Sequence, residues 1–397
     1  MTALKVPPDT SPAASPQALP AAYLDYNATA PLRPEARAAM LEALAAPANP
    51  SSVHRFGRAA RALAGRARGQ VAALVGAEPK RVVFTSGGTE ANNLAFRLAI
   101  RQGGVKSLIV SAIEHDSVLR PARLLAAELG LPLREVPAGP DGVVPAEAIA
   151  TALAGLPRPA LVALMLANNE TGTIQPVAEV TRLAHEAGAL VLTDAVQAAG
   201  KIPVDLAGPG CDFLTLSGHK LGGPTGVGAL VLRDDWTPAP LLAGGGQELG
   251  MRAGTENLSG IAGFGAAAEA ARLALPTEAP RLADLRDRLQ ALMLAALPGA
   301  PVHGGGAARL PNTLCIGLPG LPAETQVMAL DLAGVAVSAG SACSSGKVTP
   351  SHVLTAMGLP EPAAREALRF SLGWASTAAD VERAAAAWIT LAQKVLK

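Results

Sequence analysis

Lys220 lies in SGHKLGGPTGVG, in a short loop flanked on both sides by apolar, strand-like sequence, with Ser217 and His219 beside it. A lysine in a loop is ordinarily a solvated surface charge. Flanked in this way it would be partly buried, and a desolvated lysine has a lowered pKa and can attack a carbonyl carbon. Asp194 ends LVLTDA, a run that is otherwise apolar apart from Thr193. It is either a helix cap or a carboxylate that keeps the pyridinium nitrogen of pyridoxal phosphate protonated, so that the ring acts as an electron sink. Gln197, three residues on, would then reach a ring oxygen. In FTSGGTEANN, Gly88 and Thr89 open a helix after a glycine turn. Uncapped backbone amides and the Thr89 hydroxyl there make a phosphate cup. His115 in SAIEHDSV and Asn169 in ANNETG also follow apolar runs. An isolated histidine is commonly structural; at this level of the chain the imidazole would stack on a cofactor ring and could shuttle protons.

A second kind of chemistry is carried by sulfur. The chain has three cysteines. Cys211 in GPGCDFLTL and Cys315 in NTLCIGL sit among aliphatic residues, as buried thiols do. Cys343 sits in SAGSACSSG, and a thiol on so permissive a stretch is either an accident or a working nucleophile. No CxxC pair is present, so neither a disulfide framework nor a zinc site is expected, and a reducing compartment is. Three look-alike motifs fail. HEAGA lacks the second histidine of a zinc-protease helix. In GSACSSGK, five residues separate Gly340 from Gly346, and Val348 stands where a phosphate loop needs serine or threonine. His303 has no partner histidine at ligand spacing, and no metal is expected.

These residues need elements to hold them. Half of the 397 residues are hydrophobic, enough for a large core, and the net charge of +1 gives no footprint for nucleic acid or an anionic membrane. Only eight of the 33 basic residues are lysines, so each lysine is a rare event. The longest apolar run, ALVALMLA, is far too short for a membrane span. Residues 1–20 are broken by proline and read as a disordered leader, and the protein is expected in the cytoplasm. From Pro34 onward the pattern gives an alanine-rich helix, then a second helix over 55–75 with an arginine face. Strand and helix then alternate from RVVFTS to GVGALVL, which predicts an α/β fold with a mostly parallel sheet covered by helices on both faces. In such sheets ligands bind beyond the carboxyl ends of the strands. TSGGTE, EHDS, NNETG, TDAVQ and SGHK each follow an apolar strand, so they point to one site. A large domain is expected over 21–264, its first dozen residues packing with a smaller α+β domain over 265–397 that carries the cysteine loop.

The ordered set YLDYNATAP, HRFG, VFTSGGTEANNLA, NNETG, TDAVQ, SGHKLGGPTGVGAL, GGGQELGMRAGTEN, SAGSACSSG and RFSLG resembles the cysteine desulfurases of the NifS/IscS type. These are fold-type I pyridoxal-phosphate enzymes of the class V aminotransferase group, and the resemblance implies a large domain with a mostly parallel seven-stranded sheet covered by helices and a smaller α+β C-terminal domain. The resemblance implies that Lys220 carries the cofactor covalently, Asp194 pairs with its ring nitrogen and Gln197 with its phenolic oxygen. His115 would stack on the ring, and Asn169 would touch cofactor and substrate. Gly88, Thr89, Ser217 and His219 would hold the phosphate, and Thr255 in RAGTEN would complete that site in the other subunit of a homodimer. Arg369 would clamp the carboxylate of L-cysteine, a task suited to a planar guanidinium. Cys343 would accept the sulfur as a persulfide and pass it to a carrier, such as an iron–sulfur scaffold or a tRNA-thiolation relay. Selenocysteine lyase and small amino-acid aminotransferase are the alternatives on the same fold, and a non-catalytic scaffold is the alternative outside it. The chain departs from the family at Trp374, where a basic or polar residue is usual.

Overall fold

The computed structural model describes residues 22–395 apart from 46, 48, 207, 209, 234–235, 237–238 and 340–349. The proline-rich leader and Cys343 therefore lie outside the described residues. β1 (Ala22–Tyr23) is followed by α1 (Pro34–Leu44) and α2 (Arg55–Leu74). Pro34 occupies the start of α1, where a missing N–H costs no helical bond. Then come β2 (Val82–Thr85), α3 (Gly88–Arg101), β3 (Ser107–Ser111), α4 (Asp116–Leu129), β4 (Leu133–Val136) and α5 (Ala146–Leu153). β5 (Ala160–Ala163), α6 (Val177–Glu186), β6 (Leu190–Asp194), β7 (Phe213–Ser217) and β8 (Gly228–Leu232) continue the alternation. The remainder is α7 (Leu258–Ala296), β9 (Val302–His303), β10 (Thr313–Gly317), α8 (Ala323–Leu332) and β11 (Val335–Ala336), then α9 (His352–Ala356), α10 (Glu361–Arg365), β12 (Ala367–Ser371) and α11 (Ala378–Val395).

Seven strands form one sheet in the order β2-β8-β7-β6-β5-β3-β4. β8 is antiparallel to both neighbours and every other pairing is parallel. The two antiparallel steps cancel, so β2, β3, β5, β6 and β7 all end on the same edge. β3 pairs with β4 on one side and β5 on the other. The strand order reverses there, and a crevice opens beyond the strand ends at such a point. Successive strand residues feed opposite faces: Phe84, Val162 and Leu214 enter the core under α2 and α7, while Val83, Leu161 and Phe213 enter the core under α3 and α4.

Two local results differ from the pattern reading. β4 carries no apolar signature because it is an edge strand with exposed Arg134 and Glu135, and charge is how a sheet edge avoids pairing with other chains. The strand expected over ALVALMLANN ends at Ala163, although Leu164 and Leu166 still donate to the carbonyls of Leu192 and Asp194 at 3.0 and 2.9 Å.

β12, β10 and β9 form an antiparallel sheet, and β1 pairs with β11 in parallel. Leu24, Leu289, Leu314, Phe370 and Trp388 are buried together in this C-terminal core. α7 runs between the cores: Ile261, Phe264 and Ala268 belong with the large sheet, Leu282, Leu289 and Met293 with the small one. Pro276 and Pro280 lie inside it. A mid-helix proline removes a hydrogen bond and clashes with the preceding turn, so packing at both ends must hold the helix together. Its middle is also tied down, since Arg33 reaches Glu278 at 3.3 Å and Arg281 donates to the Ser376 carbonyl at 2.7 Å. The departure at Trp374 has a packing explanation: its indole N–H donates to the Pro31 carbonyl at 3.1 Å, with the Arg33 guanidinium over the ring. Gly373, just before it, is pressed so closely on Tyr26 that an added Cβ would lie 1.9 Å from the ring. Among the described residues no helix is long and apolar enough to cross a membrane.

The GGGQELGMRAGTEN segment is pinned by one carboxylate. Glu248 and Leu249 have φ of 48° and 59°, uncommon for residues other than glycine. Buried Glu248 accepts from both terminal nitrogens of Arg68 at 2.7 Å and from the Phe84 N–H at 2.8 Å. Glu248→Ala leaves the Arg68 guanidinium without its carboxylate, with only the Val82 carbonyl still accepting from it, and leaves the buried Phe84 N–H without its partner. It is expected to lower stability by about 3 kcal/mol in urea unfolding followed by circular dichroism. An unchanged unfolding midpoint would contradict this.

Candidate active site

Beyond the common strand edge lies a cavity of about 960 Å³. Gly88, Thr89, His115, Asn169, Asp194, Gln197, Ser217, His219, Lys220 and Arg369 all line it. They arrive from different strand ends: β2 leads to Gly88 and Thr89, β3 to His115, β5 to Asn169, and β6 ends at Asp194. β7 ends at Ser217 and feeds a 3-10 turn, Gly218–Lys220, while Arg369 comes from β12 of the small sheet. Thr255 is not brought to this cavity; it is exposed on the segment that precedes α7. Cys343 is outside the described residues, but Ser338 and Pro350, on either side of it in sequence, both line the cavity.

Lys220 is held by two carbonyls. Its Nζ donates to Asn27 O at 2.6 Å and to Ala28 O at 2.7 Å. Burial, then the Arg369 charge, push the amine down to about 8, against the opposing pull of Asp25 and Asp194. A surface cation would have no such shift.

Asp194 is fixed by the chain around it. One oxygen accepts from Val196 N–H at 2.9 Å, the other from Asn92 Nδ2 at 3.0 Å. Asn92 also accepts from Thr215 Oγ1 at 2.8 Å and donates to Ser117 Oγ at 2.9 Å. His115 caps α4, and its Nδ1 accepts from the Ser117 N–H at 3.1 Å. A backbone N–H only donates, so the neutral ring carries its proton on Nε2. Burial is the main cause that lowers the His115 pKa. His219 is pushed down to about 4 by burial and by the Lys220 and Lys201 charges.

Arg369 is almost wholly buried. It pairs with Asp25 at 2.8 Å and donates to the Asn169 carbonyl at 2.9 Å. Its Nε, a donor, and Asn169 Oδ1, an acceptor, are both buried without a partner among the described residues. Buried polar atoms normally find partners, so this wall suits a ligand offering both an acceptor and a donor, as an amino acid does. Gly87 caps α3 with no side-chain bond. The helix N-terminus is therefore available to an anion; a Cβ on Gly88 would lie 3.6 Å from Ser217 Cβ, and Thr89 and His219 line the same cavity. Carboxylate, amide, amine and anion cradle together fit pyridoxal phosphate.

Four participants escaped sequence reasoning: Asp25, Asn27, Asn92 and Lys201. Asn27 O serves both Lys220 and Gln197, and Lys201 Nζ donates to Gln197 Oε1 at 2.7 Å. Asp25 and Asn27 sit far from their partners in sequence, so no spacing could reveal them. Asn92 had a weak signal, as a polar residue one turn into the helix that opens at the glycine cup.

Comparison with known proteins gives a consistent result. The chain matches the family described as Aminotransferase class-V over residues 22–384. It is 49% identical over 365 residues to a cysteine desulfurase of Cereibacter sphaeroides, covering 91% of this chain and 93% of that one. Its fold is similar to that of a NifS-like protein from Rickettsia africae ESF-5, with a TM-score of 0.84 and 32% identity over 94% of this chain and 99% of that one. It is also similar to SspA, solved in complex with cysteine, with a TM-score of 0.75 and 32% identity over 88% of this chain and 98% of that one.

The buried lysine gives a pH test on the cofactor-free protein. Only the neutral amine reacts with an acylating reagent, so lowering the Lys220 pKa from 10.5 to about 8 moves its reactivity toward neutrality. Labelling of the Lys220 peptide, followed by mass spectrometry, is expected to rise through pH 8 and level off above about pH 9. A rate still climbing at pH 10 would contradict the desolvated setting.

Proposed function

We propose, from the premise that this chain belongs to the class-V aminotransferase family, that it is a pyridoxal-phosphate-dependent cysteine desulfurase that converts L-cysteine to L-alanine and takes the sulfur onto Cys343. The observation that carries the reading is the convergence of five strand ends and one small-sheet arginine on a single cavity, with the chain entering and leaving the Cys343 segment at its wall. The relative solved with cysteine supports the choice of substrate.

Lys220 would hold the cofactor, with Asp194 at the ring nitrogen, Gln197 at the phenolic oxygen and His115 against the ring. Gly88, Thr89, Ser217 and His219 would hold the phosphate, completed by Thr255 of the partner subunit in a homodimer. When bound, the cofactor supplies an electron sink for a substrate amine, which makes bonds at the α-carbon and its neighbour breakable.

Arg369 and Asn169 bind the substrate carboxylate and fix which bond faces the ring. Lys220, once its nitrogen is free, takes the α-proton, and a pKa near 8 suits a general base working close to neutrality. Cys343 Sγ, as the thiolate, then attacks the substrate sulfur. The new S–S bond forms as the substrate carbon–sulfur bond breaks, its electron pair stays with the β-carbon, which takes up a proton, and return of the α-proton from Lys220 completes alanine. Cys343 is left as a persulfide. It lies five positions beyond Ser338, which lines the cavity, and a chain of that length spans up to about 16 Å. An iron–sulfur scaffold or a thiolation carrier in the cytoplasm would then receive the sulfur.

The test is to incubate the cofactor-loaded protein with L-cysteine and a reductant, and to quantify alanine and sulfide. Wild type is expected to give equal amounts of both. Cys343→Ser should give neither, and Lys220→Ala should lose at least the ~10²–10⁴-fold that a positioned proton-transfer group contributes. Alanine formation undiminished in Cys343→Ser would overturn the assignment of the sulfur acceptor.

A further inference from the structure

Lys201 is buried behind Gln197 and takes no part in the chemistry described so far. Its Nζ donates to Gln197 Oε1 at 2.7 Å and to Asn27 Oδ1 at 3.3 Å. Gln197 Nε2 in turn donates to the Asn27 carbonyl at 2.9 Å. The orientation of this amide is therefore fixed from two sides. A backbone carbonyl only accepts, so the atom facing Asn27 O must be nitrogen. Reversal would set oxygen against oxygen there and leave the Lys201 donor facing an NH₂ group.

Donor arithmetic gives the consequence. Gln197 Oε1 is taken by Lys201, and one of the two Nε2 hydrogens is taken by Asn27. One N–H remains, and Gln197 lines the cavity while Lys201 does not. Burying a lysine is costly unless its charge is paired and hydrogen-bonded, and the Lys201 nitrogen has two amide oxygens but no carboxylate among its hydrogen-bond acceptors. The charges around it make this setting worse: burial, then Lys220 and Arg369, lower its pKa well below the ordinary value. Among the other charged groups nearby, Arg33 and Glu278 are paired with each other at 3.3 Å, and Asp25 is committed to Arg369 at 2.8 Å. Protonated or neutral, the Lys201 nitrogen still has an N–H for Oε1, so its effect on the amide does not depend on its charge.

We propose that Lys201 is a positioning residue that locks the Gln197 amide with one N–H free for the cavity, and so presents a hydrogen-bond donor to the anionic ring oxygen of bound pyridoxal phosphate. The proposal rests on the functional reading above. A donor at that oxygen stabilises the anion most when the neighbouring imine proton has left. Losing it should therefore raise the pH at which the visible absorption band of the bound cofactor changes form.

The experiment is a spectroscopic pH titration of cofactor-loaded wild type, Lys201→Met, Gln197→Leu and the double variant. Lys201→Met and Gln197→Leu are each expected to raise the midpoint by about one pH unit. The double variant should shift no further than Gln197→Leu alone, because residues acting through one group are not additive. Lys201→Gln, a milder change, should shift it part of the way. A purely structural lysine would alter thermal stability or cofactor retention and leave the midpoint where it was. A wild-type midpoint in whichever Lys201 variant retains the cofactor overturns the proposal alone. A wild type with no titrating band overturns the cofactor reading, and the proposal with it.

Discussion

A single backbone carbonyl, that of Asn27, accepts from both Lys220 Nζ at 2.6 Å and Gln197 Nε2 at 2.9 Å. The rest of the site depends on where that carbonyl is. Asn27 is held by the C-terminal unit: its N–H donates to Ser371 Oγ at 2.9 Å, and its side chain binds Thr313 Oγ1 at 2.9 Å and Asn312 at 3.1 Å. The N-terminal segment thus lies between the large sheet, which supplies Lys220 and Gln197, and the small one, which supplies Ser371 and Thr313. Contacts between the two units and the orientation of the site's amine and amide therefore run through one residue. Arg369 repeats the arrangement, since it belongs to β12 yet bonds Asn169 beyond β5 and Asp25 beyond β1.

The electrostatics follow from this crowding. Lys220, Lys201 and Arg369 share a poorly solvated space: the Arg369 charge disfavours a proton on both lysines, and Lys220 disfavours one on Lys201. Asp25 and Asp194 offset part of that excess. What remains is a preference for anions, at the α3 N-terminus on one side and at Arg369 on the other, together with a lysine whose amine is available near neutral pH. A site of this kind suits a phosphate and a carboxylate, with an amine that can exchange a proton near neutral pH, which is the demand that chemistry on an amino acid makes.

Much of this was legible from sequence because α/β sheets place ligands at strand ends, and each polar cluster follows an apolar run. Asp194, Ser217 and Lys220 could be found that way. The seven-stranded sheet was legible too, apart from β4, whose charged Arg134 and Glu135 hide an edge strand. Asp25, Asn27 and Lys201 were not legible, since their meaning comes from partners on other elements or from burial that no local pattern records. The continuity of α7 through Pro276 and Pro280 is likewise a tertiary result, for local propensity argues against it. Thr255 marks a different limit: its proposed role belongs to another copy of the chain, and within its own chain it is simply exposed.

The central claim is that Lys220, and not its buried neighbour Lys201, carries the cofactor. The most direct test is to load the protein with pyridoxal phosphate, reduce it with borohydride, digest it and locate the added pyridoxyl mass. The modification is expected on the Lys220 peptide, with none on Lys201. Modification of Lys201, or of neither lysine, would contradict it.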